Sequence, residues 1–460
     1  MLLQGPPGTG KTHTIIGLLH KLVEDIHPKI LVTAPSNAAV DEIGNRLVHL
    51  NSQLKIVRVG IPNQINQNML QYSLEEKAKK MHEEYEIKYK YEEIETLQSE
   101  IDRDKHKEDH KTEERIKILA KQIKMIKQQI STLKADYYRK RRQYQETVLK
   151  ESDIIMSTLG SCCHSIVKTV YGPNSRNPFT CCILDEASQC TEIEALQVLN
   201  FGISKLILIG DPQQLPATVS SKFAANYGFD RSLMERFHEY FSKDEKNNPI
   251  YMLTEQFRMH SEICRFPSKQ FYRNLLVTSA KTDISYKAFP IEPYMVFNII
   301  NSQESDYDSS KTNEKEANAT ARICEQLLGL NAEPKPSIGI ITPYAAQRTL
   351  YKNLLNKPTY KHIEINTVDG FQGREKDVII VSCVRANSKN GKIGFLSCKK
   401  RLNVAVTRAK YCLIIIGQIN TLNQDPNWRE LIKDADKRNC LKNVTCLDEI
   451  KLVKKNASRK

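Results

Sequence analysis

Gly5-Pro6-Pro7-Gly8-Thr9-Gly10-Lys11-Thr12 matches the phosphate-binding pattern G-x-x-x-x-G-K-[ST]. Glycines in such a loop let backbone N–H groups converge on phosphate oxygens without a Cβ in the way. Lys11 is placed to reach the β- and γ-phosphates and the Thr12 hydroxyl to ligate Mg²⁺. The helix expected from Thr12 to about Leu22 points its N-terminus at the anion. Met1-Leu2-Leu3 fits the end of a buried strand. The loop implies binding of a nucleoside triphosphate and leaves open what the energy is used for.

Two carboxylates end another apolar run, Ile183-Leu184-Asp185-Glu186. In an open α/β sheet, C-terminal strand ends meet the nucleotide crevice. There Asp185 would hold Mg²⁺ together with Thr12, and Glu186 would orient and deprotonate an attacking water. The competing reading is an acid pair at a helix start. A further run, Lys205–Ile209, leads into Gly210-Asp211-Pro212-Gln213-Gln214-Leu215, where a glutamine could hydrogen-bond a γ-phosphate or the attacking water. Taken alone, this segment reads as a turn built from Gly, Asp and Pro. Arg258, in Gln256-Phe257-Arg258-Met259-His260, and Arg408, in Asn403-Val404-Ala405-Val406-Thr407-Arg408-Ala409, suit the arginine-finger role in phosphoryl transfer. If both belong to a second α/β domain, domain closure would complete the site.

The elements that must carry these residues read as alternating strands and helices. Strands are expected at Lys29–Ala34, Lys55–Val59, Asp153–Ser157, Thr180–Leu184 and Lys205–Ile209, with a helix at Asp41–Leu50. A second series is expected at Tyr294–Ile299, Ile338–Thr342, Ile363–Val368, Val378–Cys383 and Cys412–Ile416. Ser242–Pro249 marks a boundary between the two series, and Ser302–Glu316 reads as a polar surface loop. From Tyr72 to Lys150 there is neither Gly nor Pro. Ile116, Leu119, Ile123, Ile126, Ile130, Leu133 and Tyr137 there form a heptad seam. A less regular stripe runs from Leu74 to Ile101. An antiparallel helical hairpin follows, with its tip near Lys105–Lys111 and arms of about 30 residues projecting ~45 Å.

At 460 residues, more than one domain is expected. The net charge of +14 favours polyanionic partners such as nucleic acid, but only weakly. The 12 cysteines include no CxxC pair and read as reduced, buried thiols. No apolar run is long enough to span a membrane.

Ala34-Pro35-Ser36-Asn37-Ala38-Ala39-Val40-Asp41, Asp185-Glu186-Ala187-Ser188-Gln189, Ile341-Thr342-Pro343-Tyr344 and Thr367-Val368-Asp369-Gly370-Phe371-Gln372-Gly373-Arg374-Glu375 join the segments above in chain order. The set resembles the superfamily-one helicases, in the Upf-like branch that holds the nonsense-mediated-decay and senataxin-like helicases. Phe266-Pro267-Ser268, Cys383–Ser388 and Ile393–Leu396 resemble the senataxin-like members.

The resemblance implies an α/β fold of two tandem RecA-like parallel-sheet domains. The first would comprise residues 1–70 and 151–242, with a helical hairpin inserted at 71–150. The second would comprise 243–446, followed by a basic tail at 447–460. It implies an ATP hydrolase using ATP and Mg²⁺, moving 5′ to 3′ on single-stranded RNA or DNA or on an RNA–DNA hybrid. Phe257 would stack on adenine, Glu375 would bind ribose and Gln214 would sense the γ-phosphate. Ser36, Asn37, Thr158, Pro343 and Thr367 would contact nucleic acid through its backbone, as a sequence-indifferent motor requires.

It further implies a nuclear, in part cytoplasmic, monomer acting away from membranes. The insert, placed inside an NTPase core, reads as a prong for a protein or nucleic-acid partner, with a solvated spacer as the competing reading. Helicases of this branch carry an adenine-reading glutamine and a small β-barrel ahead of the loop. Gln4 is not equivalent to that glutamine, so the chain reads as a fragment or a late start of such a helicase. Two other readings remain: an AAA+ NTPase with a helical lid, and a nucleic-acid-binding scaffold with little or no unwinding.

Overall fold

The computed structural model describes residues 1–26, 29–50, 54–83, 87–105, 110–173, 175, 178–243, 248–286, 289–308, 310–330, 332, 334–386 and 393–453. Packing divides the chain into two compact units, Met1 with Thr12–Ile209 and Leu2–Lys11 with Gly210–Lys460. Strand β1 is Leu2–Gln4.

The first unit is built on β2 (Ile30–Ala34), β3 (Ile56–Val59), β4 (Ile154–Thr158), β5 (Cys181–Leu184) and β6 (Lys205–Gly210). They lie in the order β3-β4-β2-β5-β6, and the pairs are parallel. Strands covered on both faces need continuous apolar runs. Ile30, Leu31, Val32, Ile183 and Leu184 accordingly have no exposed surface. Cys182 serves as a small apolar residue here, and burial holds its thiol well above the ordinary range.

The helix after β1 runs Lys11–Ile26 and buries Ile15, Ile16 and Leu19 at helical spacing. The helix after β2 spans Asn37–His49 and starts before the expected Asp41, because the Ser36 hydroxyl accepts a hydrogen bond from the Ala39 N–H at 3.2 Å.

The insert holds helices Leu74–His82, Lys88–Asp104 and His110–Glu151. Leu119, Ile123, Ile126, Ile130 and Tyr137 are buried along the last; Ile101 of the middle helix packs on Leu119 and Ile123, and Ile87 just before that helix packs on Ile126 and Ile130. Against expected arms of about 30 residues, one arm is split between Leu74–His82 and Lys88–Asp104, and the other is a single helix of 42 residues. The short Leu74–His82 helix takes up the rest of the seam, with His82 Nε2 3.0 Å from the Leu133 carbonyl and Arg141 paired with Glu75 at 2.7 Å. Of the expected tip, residues 106–109 lie outside the described residues.

In the second unit, β7 (Ile250–Met252) pairs in parallel with β1, and β8 (Glu255–Gln256) with β9 (Val277–Thr278). The main sheet contains β10 (Tyr294–Ile299), β13 (Ile338–Ile341), β14 (Glu364–Asn366), β15 (Lys376–Ser382), β16 (Ala409–Gly417) and β17 (Leu441–Val444). Its order is β14-β13-β15-β16-β10-β17, all parallel. The period of two sorts its side chains. Tyr294, Val296, Ile379 and Val381 join one apolar cluster, and Met295, Phe297, Val378 and Ile380 the other.

Ser302–Glu316 is not the expected loop. It forms an antiparallel hairpin of β11 (Ser305–Tyr307) and β12 (Ser310–Thr312), then enters helix Glu314–Leu328. Glu316 is fully buried there, because its carboxylate accepts from Ser382 Oγ and the Val384 N–H, each at 2.8 Å. Of the Ser242–Pro249 boundary, residues 244–247 lie outside the described residues, as do 454–460 of the basic tail and 387–388 of the Cys383–Ser388 segment. Among the described residues no helix is long and apolar enough to cross a membrane.

Candidate active site

Within the second unit, the phosphate-loop backbone hangs from β1. Gly8 and Gly10 have φ of 77° and 79°, which glycine adopts without strain. The Gly5 N–H donates to the Gly210 carbonyl at 2.8 Å, Thr9 Oγ1 to the Pro6 carbonyl at 2.8 Å, and Lys11 Nζ to the Gly5 carbonyl at 3.1 Å. Pro6 and Pro7 are buried. The Phe257 N–H reaches the Gly8 carbonyl at 2.8 Å, so the Gln256–Arg258 segment lies against the loop. Buried Gln256 shapes that segment, its Oε1 accepting from the Arg258 and Met259 N–H groups at 2.8 and 2.7 Å.

Phe257 is left 53% exposed, with its ring open to a planar partner. Arg258 Nε donates to Glu375 Oε2 at 2.6 Å, and Lys410 approaches the other oxygen at 3.1 Å. Burial pushes the Glu375 carboxyl up, but the two cations outweigh it and hold it below its ordinary range.

Arg408 is 2% exposed. Its Nη2 donates to Gln214 Oε1 at 3.1 Å and its Nε to the Val404 carbonyl at 3.0 Å. Arg258 Nη1 reaches the Thr407 carbonyl at 3.3 Å, so the arginine segments meet. Asp211, read from the sequence as part of a turn, is buried and accepts from Gln214 Nε2 at 2.9 Å and Gln4 Nε2 at 3.3 Å. Gln4 also faces His238 Nε2 at 3.2 Å. Pro343 and Thr367 follow the ends of paired strands, where Ile341 is opposite Asn366. Near them a cavity of about 480 Å³ is lined by Lys311, Tyr344, Arg385, Phe395 and Arg401. The Arg401 guanidinium lies 5.3 Å from the Phe395 ring centre.

Within the first unit, Thr12 lies in the first turn of the helix after the loop, and Asp185 and Glu186 leave β5. The Asp185 N–H donates to the Thr33 carbonyl at 2.9 Å, and its side chain is 5% exposed. Glu186 has φ of 50°, a left-handed conformation costly for a residue with a Cβ, and Gln189 Nε2 donates to its carboxylate at 2.7 Å.

Ala34 of β2 pairs with Thr158 of β4, which brings Ser36, Asn37 and Thr158 to one end of the sheet. Thr158 caps a helical turn, its Oγ1 accepting from the Ser161 N–H at 3.2 Å. Asn37 is held from beneath by fully buried Arg58, whose Nη2 donates to Asn37 Oδ1 at 2.7 Å.

Two family models, each described as an AAA domain, match residues 1–222 and 229–420. The chain is similar to a probable helicase, senataxin, of Homo sapiens, at 34% identity over 96% of this chain and 18% of that one. The chain belongs to the Upf-like branch of the superfamily-one helicases. Another relative in this helicase branch is regulator of nonsense transcripts 1 of Dictyostelium discoideum, 33% identical over 96% of this chain and 31% of that one. The chain thus spans less than a third of either relative's length. A solved structure entitled "The structure of PRRSV helicase" aligns with 92% of this chain and 53% of that chain, at 13% identity and a TM-score of 0.40.

Ser36, Asn37, Thr158, Asp185, Gln214, Pro343 and Thr367 lie at or just past C-terminal strand ends, as ligand-binding residues of open parallel sheets do, whereas Glu375 and Arg408 precede the strands Lys376–Ser382 and Ala409–Gly417. Sequence reasoning missed Asp211 as a hub, Arg58 beneath Asn37 and Glu316 beneath Val384. Asp211 sits inside the Gly210–Leu215 segment but reads there as a turn residue, and its links to Gln4 and Tyr272 are distant in sequence; Arg58 and Glu316 lie in no motif.

Proposed function

We propose that the chain is the motor core of an ATP-dependent RNA/DNA helicase or translocase. The observation that carries this reading is the company of the phosphate loop. Gly5–Lys11 shares one packing unit with Gln214, Arg258 and Arg408, and Gly8 bonds directly to the segment bearing Arg258. A scaffold with no hydrolysis would need none of these groups together.

In this reading Gly5, Pro6, Pro7, Gly8, Thr9 and Gly10 wrap the phosphates and Lys11 offsets their charge. Phe257 stacks on adenine and Glu375 takes the ribose. Gln214 senses the γ-phosphate, and Arg258 and Arg408 stabilise charge in the transition state. Mg²⁺ suits the hard oxygen donors Thr12 and Asp185, and when bound it would neutralise phosphate charge. Glu186 takes the proton from the attacking water.

Ser36, Asn37, Thr158, Pro343 and Thr367 grip the strand backbone. The strand is single-stranded RNA or DNA, or one partner of an RNA–DNA hybrid, traversed 5′ to 3′. Residues 1–70 with 151–242, and 243–446, serve as the RecA-like domains, 71–150 as an insert open to a protein partner, and 447–460 as a basic tail. In this reading the chain works as a monomer in the nucleus, in part also in the cytoplasm.

ATP turnover measured with and without single strands tests the reading. Stimulation by oligo(U) or oligo(dT) that disappears in Lys11→Ala is the expected outcome. Turnover that ignores strands, or its absence altogether, would overturn it.

A further inference from the structure

We propose that Tyr272 is a positioning residue for ATP turnover, tying the loop that bears Gln214 to the helix that leads into Arg408. The inference rests on the reading above, in which both residues act on the γ-phosphate.

Tyr272 is 2% exposed and lies outside every recognised motif. Its hydroxyl donates to Asp211 Oδ2 at 2.7 Å and accepts from Asn403 Nδ2 at 2.7 Å. An amide NH₂ can only donate and a carboxylate can only accept, so the hydroxyl proton has one direction. The same Asp211 oxygen accepts from Gln214 Nε2 at 2.9 Å. That contact turns Gln214 Oε1 toward Arg408 Nη2, 3.1 Å away. Asn403 lies in helix Lys399–Val406, and Arg408 follows its C-terminal turn. The ring Asn403–Tyr272–Asp211–Gln214–Arg408 therefore closes through one helix. Asn403 Nδ2 also donates to the Gln213 carbonyl at 2.9 Å, a second stitch between the same segments.

Every member is at least nine-tenths buried, so a broken link leaves a polar group without water to replace it. Without the Tyr272 hydroxyl, Asp211 and Asn403 each lose a partner, and the Gln214 amide can rotate. A rotated amide would present NH₂ to the Arg408 guanidinium, donor against donor. The two groups would then start from the wrong arrangement for the transition state, with ATP affinity nearly untouched.

The test is Tyr272→Phe in the full chain, read as strand-stimulated turnover. The expected result is a fall in kcat of about tenfold, with KM for ATP and the Kd for oligo(dT) within about twofold of the unaltered chain. In the Arg408→Ala background the same change should add little, because both act at one group. Asn403→Leu, which cuts the ring at the other side of the hydroxyl, should repeat the kcat loss. Tyr294→Phe is the control for removing a hydroxyl from a buried tyrosine in the same unit. Unchanged kcat in Tyr272→Phe, or an equal loss in Tyr294→Phe, overturns the positioning role alone. No turnover in the unaltered chain overturns the helicase reading and this one with it.

Discussion

Arg58 Nε donates to Asp41 Oδ1 at 2.7 Å, and the arginine side chain has no exposed surface. The pair joins β3 to the helix that starts at Asn37, and Asp41 Oδ2 also accepts from the Asn66 N–H at 2.8 Å. Buried ion pairs add little net stability, but breaking one by removing a single partner costs about 3–5 kcal/mol. Arg58→Met should lower stability in urea by roughly that amount. Adding Asp41→Leu should recover most of the loss. Strand binding should stay weakened in the double variant, because Asn37 has still lost its donor. A double variant that binds strands as well as the unaltered chain would refute the link to Asn37.

Glu316 gives a pH dependence with a definite sign. Burial lifts its carboxyl from the ordinary 4.5 to about 8, against the pull of hydrogen bonds from Val384 and Ser382. The folded chain therefore prefers the protonated form. The associated stability is fully present below pH 4.5 and is lost as pH rises toward about 8. Glu316→Gln keeps the shape and cannot ionise. Melting temperatures of the two proteins, followed across that window, should diverge in favour of the variant as pH rises. A constant difference would contradict the assignment.

Glu186→Gln should bind ATP normally and turn it over at least ~10²-fold more slowly, since proton transfer from water is lost while Asp185 is untouched. Equilibrium binding of a fluorescent ATP analogue beside single-turnover hydrolysis separates these effects. Equal turnover would remove Glu186 from the role of base.

Arg408→Ala should lower kcat by ~10³-fold with little change in ATP affinity, as expected for a group that acts mainly in the transition state. If affinity falls and kcat does not, Arg408 serves binding alone.

Much of the fold was legible because parallel strands covered on both faces are apolar throughout. Ile30–Ala34 and Tyr294–Ile299 stood out for that reason. The insert was legible from its heptad spacing, but its unequal arms were not, because spacing does not say which helix partners which stretch of seam. The polar run Ser302–Glu316 misled for the opposite reason: Glu316 looks solvated until Ser382 and Val384, 66 and 68 residues away, are brought to it. The motif segments were readable because each is local. The supports beneath them were not. The Tyr272 partners lie 61 and 131 residues distant, and nothing in the neighbouring residues marks the contact.

The 42-residue helix of the insert ends at Glu151, and β4 begins at Ile154. At about 1.5 Å per residue it is a rod of ~63 Å fastened to the sheet by a two-residue joint. A tilt of about 5° at that joint sweeps the far end through ~5 Å, on this rise per residue. Ser152 stiffens the joint, its Oγ donating to the Val148 carbonyl at 2.7 Å, and Lys29 clasps the Lys150 and Ser152 carbonyls from beside β2. A sideways load at the far end is therefore delivered as torque at the joint to the strand whose last residue is Thr158.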